Sequence, residues 1–284
     1  MTHDVTDSRW QILDGVPWIR TVAVRTPTLP PATHTNVYLI GQDRLVVIDP
    51  ASPYAEERAQ LDAAIDALAA AGSPVAEIVL THHHVDHVSG AAYLAERLGV
   101  PIVAHRETAA KLAGHLQIRR FLDDGERLDY GPDGLTALFT PGHAPGHLCF
   151  VDGRSTATVA GDMVASVGTI IIEPDDGGDM RVYLESLAKL RAVGARWLLP
   201  AHGPPIADAA AKIDFYVAHR LEREKRVVAA LSSQPQTIDE LVPPAYPDVP
   251  PAIYGLAARS LLAHLYKLES DGRARRVGER WSRS

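Results

Sequence analysis

One seven-residue stretch constrains this chain more than any other. Thr81-His82-His83-His84-Val85-Asp86-His87 sets four histidines and an aspartate directly after the apolar run Ile78-Val79-Leu80. Such a run reads as a buried strand, which places the polar cluster at a strand end. Side chains two apart on extended backbone point to the same side, so His82 and His84 can grip one ion. Asp86 and His87 can then reach a second. The competing reading is a polar turn that opens a helix, with Asp86 capping residues 89–99, which end on glycine. Capping uses one carboxylate and leaves three ordered imidazoles unexplained, so the pattern points to metal.

The spacing H-x-H-x-D-H resembles the signature of the metallo-beta-lactamase superfamily. Three later segments agree with it in order: Thr140-Pro141-Gly142-His143, Val159-Ala160-Gly161-Asp162 and Leu198-Leu199-Pro200-Ala201-His202. The similarity spans about residues 20 to 210. It implies a four-layer αββα sandwich, which the α/β pattern alone does not separate from other arrangements. It also implies that His82, His84 and His143 hold one Zn²⁺, with a position left for water. Asp86, His87 and His202 would hold a second Zn²⁺ and Asp162 would bridge the two, with iron or manganese as alternative metals. The implied nucleophile is a bridging hydroxide, since two ions bring the water's pKa near neutrality. Asp86 is then the catalytic side chain that orients the hydroxide or takes its proton.

The segment around Asp162 narrows the reaction. Zinc beta-lactamases resembling the hexad have Cys or Ser there, whereas glyoxalase II, lactonases and ribonuclease Z carry the bridging aspartate. A small ester, thioester or lactone is therefore expected, with beta-lactam hydrolysis a lesser alternative. Flavodiiron proteins place Glu where His84 stands, and a mononuclear iron dioxygenase would leave Asp86, His87 and His202 idle. Asp49, after Leu45-Val46-Val47-Ile48, resembles the family's aspartate that steadies the metal-binding loop; a turn residue before Pro50 is the plain alternative. The loop 27–36 is expected near the metal site, with Asn36 or His34 touching substrate or packing the loop. His147 is expected beside the site or facing substrate, not as a ligand, and His83 as a packed non-ligand on the opposite side. His105 and His115 are read as surface or satisfied interior residues.

With 284 residues, 46% of them hydrophobic, the chain can bury one large core plus a small appendage. The pattern gives strands at 16–24, 37–40, 45–48, 101–105, 157–160 and 196–199, a hairpin within 125–139, and helices at 55–71 and 180–193. The single cysteine, Cys149, excludes an internal disulfide and a multi-thiolate zinc site, and fits the cytoplasm. It lies in an apolar strand and reads as a buried, inert thiol. The first seven residues are polar and acidic, and no apolar run reaches bilayer length, so neither export nor membrane insertion is expected.

The net charge of −7 opposes a surface made for nucleic acid, but it is unevenly spread. Residues 1–214 carry 17 basic and 27 acidic side chains, while residues 215–284 carry 11 and 8. A division into residues 1–212 and 213–284 follows from the change in pattern. The tail reads as a helix over 215–231, a capping box at Thr237-Ile238-Asp239-Glu240, a Pro-rich connection over 243–251 and a helix over 252–269. A turn at Asp271-Gly272 then precedes a basic, strand-like end. This layout resembles a winged helix, and is similar to the C-terminal domain of the beta-lactamase-like protein 2 family, whose animal members are endoribonucleases. It keeps open cleavage of single-stranded RNA, with Arg273, Arg275, Arg276, Arg280 and Arg283 on phosphate. A non-catalytic binding module would have no evident need for an open two-metal site. A small-molecule substrate is the first expectation and RNA the second, and a homodimer is left open.

Overall fold

A computed structural model describes residues 9–284, and the acidic start of the chain lies outside them. Runs of Val, Ile and Leu in the first half form β1 (Gln11–Leu13), β2 (Val16–Arg25), β3 (His34–Gly41) and β4 (Leu45–Ile48). These pair antiparallel. β5 (Val75–Val79), β6 (Ile102–Ala104) and β7 (Arg120–Phe121) then join in parallel, completing a seven-stranded sheet in sequence order. Parallel strands need crossovers. Here they carry α1 (Ala55–Ala70), the short α2 (Val85–Val88), α3 (Ala91–Leu98) and α4 (Arg106–Lys111).

The second half repeats the scheme. β8 (Arg127–Leu128), β9 (Leu135–Phe139), β10 (Leu148–Asp152) and β11 (Thr158–Gly161) pair antiparallel, and β12 (Leu198–Pro200) joins β11 in parallel after α5 (Met180–Ala192). Between the sheets, Ile19, Ile40, Ile48 and Val79 meet Leu135, Leu148, Phe150 and Leu199. The outer face of the first sheet packs under Leu61, Ile65 and Leu68 of α1 and Leu94 of α3. That of the second packs under Tyr183, Leu187 and Leu190 of α5 and Ile213 and Tyr216 of α6 (Ala209–Ala230). The layers run helix, sheet, sheet, helix, which is the αββα sandwich. Sheets covered on both faces explain near-continuous apolar strands such as β4, whose four residues are all buried.

A further core forms beyond the sandwich. Val227 of α6, Leu241 of α7 (Ile238–Ala245) and Leu261, Leu265 and Leu268 of α8 (Tyr254–Ser270) enclose Trp281. Trp281 belongs to the hairpin of β13 (Ala274–Val277) and β14 (Arg280–Arg283). The helices and hairpin form a winged helix, and α6 runs unbroken across the expected division at residue 213.

Three details differ from the sequence-based expectations. The segment 89–99 is not one helix starting near Asp86: α2 begins earlier, with His84 as N-cap, and a break at Gly90 separates it from α3. At Gly90 the backbone N–H meets the Pro50 carbonyl at 2.8 Å, and a Cβ there would lie 2.3 Å from that oxygen. Pro243 and Pro244, expected in a connection, lie inside α7. Burial of Leu241, Val242 and Ala245 outweighs the helix hydrogen bonds that the two prolines cannot donate. The terminal β segment is a two-stranded hairpin rather than one basic strand. No helix among the described residues is long and apolar enough to cross a membrane.

Candidate metal centre

Loops at strand ends gather the histidines. His82 and His84 follow β5, Asp86 and His87 stand on α2, His143 lies between β9 and β10, Asp162 follows β11 and His202 follows β12. The ligand-type atoms fall into three groups, one of which, His83, His84 and Asp176, lies on the outer side of His84. Of the other two, His82, His84, His143 and Asp162 form the first, and Asp86, His87 and His202 the second, with the atoms of each group within 4.8 Å of one another.

The far nitrogen of each imidazole is already engaged, and this decides what the near nitrogen presents. Thr81 Oγ1 donates to Asp49 Oδ2 at 2.6 Å, so it accepts from His82 Nδ1 at 3.0 Å. His84 Nε2 donates to Asp176 Oδ2 at 2.8 Å, and His143 Nδ1 donates to the Ile171 carbonyl at 2.9 Å. His82 Nε2, His84 Nδ1 and His143 Nε2 are thereby left as bare lone pairs. Yet they converge, at 2.9 Å between His82 and His84 and 3.0 Å between His143 and His84. Three lone pairs at such distances repel unless a cation sits among them, so the residues fit a metal.

The second group follows the same logic. His87 Nδ1 donates to Asp49 Oδ2 at 2.8 Å and His202 Nδ1 to the His34 carbonyl at 2.9 Å, leaving both Nε2 atoms bare. His87 Nε2 and Asp162 Oδ1 are buried without a hydrogen-bond partner and face each other at 3.6 Å. Asp162 Oδ1 also lies 3.4 Å from His202 Nε2, while its Oδ2 lies 3.6 Å from His143 Nε2. Its two oxygens thus face different groups. Nitrogen and carboxylate donors of this mixture suit zinc, iron or manganese.

All seven residues lie within residues 30–202, which match the family model described as the metallo-beta-lactamase superfamily. The chain belongs to the metallo-beta-lactamase superfamily. Residues 237–281 match a beta-lactamase associated winged helix domain. The chain is 29% identical over 244 residues to a beta-lactamase-like protein 2 homolog of Caenorhabditis elegans, covering 84% of this chain and 79% of the relative. It is 31% identical over 199 residues to an atrochrysone carboxyl ACP thioesterase of Aspergillus aculeatus, covering 69% of this chain and 59% of the relative. A metallo-beta-lactamase family protein of Thermus thermophilus superposes with a TM-score of 0.77 at 27% identity, over 95% of this chain and 99% of that one.

In this metallo-beta-lactamase superfamily member, the site's electrostatics follow from burial and from the carboxylates. Burial, with neighbouring imidazoles adding to it, holds His82 and His143 well below the usual histidine range, keeping them neutral. At His87 burial works the same way, but the Asp162, Asp86 and Asp49 carboxylates overcome it and hold the imidazole well above its usual range. Carboxylates that draw a proton onto His87 draw a metal cation equally. Burial pushes His147 down to about 3. Its Nδ1 contacts Thr140 Oγ1 at 2.9 Å and its Nε2 accepts the Asp162 N–H at 3.1 Å, so it braces Asp162 with neither nitrogen free.

Several residues support the two groups, and Asp49 holds the loop as its resemblance implied. Asp49 grips the Thr81 N–H at 2.7 Å, the Thr81 hydroxyl and His87 together. Asn36 and His34 sit on the His202 turn: Asn36 Nδ2 donates to the Pro200 and Gly203 carbonyls at 2.9 and 2.8 Å, and the His34 carbonyl receives His202. His83 lies outside both groups that contain Asp162 or Asp86, and does not point away from His84. Its Nε2 meets the same Asp176 oxygen at 3.0 Å. Asp176, also held by Lys111 at 3.0 Å, has no signal in the sequence beyond an acidic turn, and only the fold brings it to His84. His105 stacks on Phe139 at 4.2 Å, and His115 is exposed.

A cavity of about 670 Å³ opens over His84, Asp86, His143, Asp162 and His202. One wall is the loop 27–32, a second is the stretch after β11, and the third comes from α6, α8 and the α7–α8 connection. Four exposed large apolar side chains line it: Leu29, Val85, Val167 and Ile253. Arg273, Arg275, Arg276, Arg280 and Arg283 do not.

Proposed function

We propose that this chain is a binuclear zinc-dependent hydrolase of a small ester, thioester or lactone with a largely apolar acyl part. The observation that carries the reading is an apolar cleft opening directly onto convergent bare nitrogens and carboxylates. His82, His84 and His143 would hold one ion, Asp86, His87 and His202 the other, and Asp162 would face both. Two ions bound there supply Lewis-acid polarisation of the scissile carbonyl and a water that ionises near neutral pH.

The chain's own contribution is positional. Asp86, whose Oδ2 lies 3.5 Å from His202 Nε2, would orient the attacking water and accept its proton. Asp49 and Asp176 fix the tautomers of His87 and His84, and the apolar walls bind the acyl group and exclude bulk water. The thioesterase name of the Aspergillus relative supports this reading. The acidic body, at 27 acidic to 17 basic side chains, favours it over a polyanionic substrate.

The ribonuclease alternative draws on the likeness to beta-lactamase-like protein 2 homologs and on the basic hairpin. Four of the five arginines have partners within the winged helix: Arg273 with Glu224 at 2.9 Å, Arg276 with the Gly278 carbonyl at 2.9 Å, Arg280 with Glu240 at 3.4 Å and Arg283 with the Val228 carbonyl at 3.0 Å. The deciding experiment offers zinc-loaded protein and Asp86→Ala an apolar acyl thioester and, separately, a labelled single-stranded RNA. Thioester cleavage by wild type alone is expected. RNA cleavage without thioester cleavage would replace this reading with the ribonuclease.

A further inference from the structure

The cleft contains one cation that no carboxylate among the described residues matches. Glu173 pairs with Arg259 at 3.0 Å, Asp176 with Lys111 at 3.0 Å, and Arg223 with Asp248 at 2.8 Å. Arg220 also lines the cleft, and no carboxylate lies within ion-pair distance of it among the described residues. It is only 3% exposed. One of its five N–H donors reaches the Ile170 carbonyl, its Cζ lies over the Tyr183 ring at 5.4 Å from the ring centre, and its Nε has no partner. Close by, His264 is fully buried with both ring nitrogens unpartnered, and His219 Nδ1 is unpartnered too. Burial first, and the Arg220 charge second, hold both histidines below their usual range, so both stay neutral beside the guanidinium.

An unpaired buried guanidinium is costly, and a planar fork with idle donors matches a carboxylate. Its position ties it to the metal centre: Arg220 Nη2 and His143 Nδ1 donate to the consecutive carbonyls of Ile170 and Ile171. Arg220 and His143 line the same cleft, so one substrate can touch both ends of it. Glu173, Asp176 and Asp248 line the same cleft, which favours a single negative charge over a phosphate dianion or a polyanion.

We propose that Arg220 is a specificity residue that pairs with a carboxylate of the substrate. Resting on the hydrolase reading above, this makes the substrate class the half-ester or half-thioester of a short dicarboxylic acid. The far carboxylate lies on Arg220, the methylenes lie along the apolar wall, and the scissile carbonyl lies at the metal centre.

The test uses neutral N-acetylcysteamine thioesters of succinic, glutaric and adipic acids, each beside the same compound with its free carboxylate methylated. For at least one chain length, zinc-loaded wild type is expected to prefer the free acid by about tenfold or more in kcat/KM. In Arg220→Gln the ratio of acid to methyl ester is expected to fall to about one, and in Arg220→Lys to an intermediate value. A wild-type ratio near one at all three lengths overturns the proposal, as does a variant that keeps the wild-type ratio. Should Arg220→Gln not fold, the wild-type ratio and the lysine variant decide. Should wild type cleave none of these compounds, the apolar acyl thioester above decides the hydrolase reading separately. The carboxylate site is then decided by calorimetry with monomethyl adipate, where binding by wild type that weakens in Arg220→Lys supports it, and no binding or equal binding overturns it.

Discussion

At the scale of single residues, the centre is defined less by which histidines are present than by which of their nitrogens are already spent. His143 gives Nδ1 to the Ile171 carbonyl and keeps Nε2 for the cluster, whereas His147 has both nitrogens engaged. Replacing His143 by Ala is therefore expected to lower bound metal by at least one equivalent per chain, while His147→Ala keeps the wild-type stoichiometry with weakened affinity. Metal analysis after gel filtration reads this out, and full retention in His143→Ala would reassign the ligand. Cys149 has the opposite character. It is fully buried and burial pushes its thiol up to about 12, so almost no thiolate exists at neutral pH. An alkylating reagent at pH 8 is expected to leave it unmodified in the native chain and to modify one thiol per chain in denaturant. Fast native modification would show that the β10 region opens.

At the scale of elements, the turn that carries His143 has no spare room. Gly142 has φ +120°, and a Cβ there would lie 2.3 Å from the Tyr183 backbone nitrogen on α5. Gly142→Ala is expected to destabilise the fold by about 2 kcal/mol or more, measured by denaturant unfolding, and to loosen the seat of His143. A change under about half a kcal/mol would mean that α5 shifts at little cost.

This is also the scale at which the sequence was most readable. The apolar runs behind His82, Asp162 and His202 declare both a strand and what lies at its end, because burial on two faces removes polar residues until the turn is reached. Contacts made across the fold leave no such trace. Asp176 is one of several acids in a turn until α4 and the β5–α2 loop bring Lys111 and His84 to it. Pro243 and Pro244 read as a connection, because their helix is held by packing that local propensity does not report. Arg220 reads as a solvated charge on a helix, and only the packing of α6 against the segment 165–171 shows it buried.

At the scale of the whole molecule, the two domains build one cleft between them. The winged helix contributes a wall rather than a separate recognition head, since Leu256 and Ala257 of α8 line the space above the metal centre. A charge placed on that wall should weaken substrate binding without touching metal. For Leu256→Asp, KM for an apolar thioester is expected to rise about tenfold, with metal content unchanged and kcat within a small factor. An unchanged KM would place the acyl group elsewhere. Charge is divided the same way: the body is acidic and the tail net basic, so any polyanion is expected to meet the hairpin rather than the cleft.

Helix α6 connects the two scales above it. Its first turns are locked into the sandwich through Ile213 and Tyr216, its last into the other core through Val227, and Arg220 faces the cleft between them. Each residue of a helix advances the chain by about 1.5 Å and turns it by about 100°. One residue inserted between Tyr216 and Val227 would swing the winged helix a quarter-turn round the axis and carry its wall away from the metal centre. Drift in the loops changes the cleft's lining, whereas drift in this helix, unless it comes in near-whole turns, unmakes the cleft.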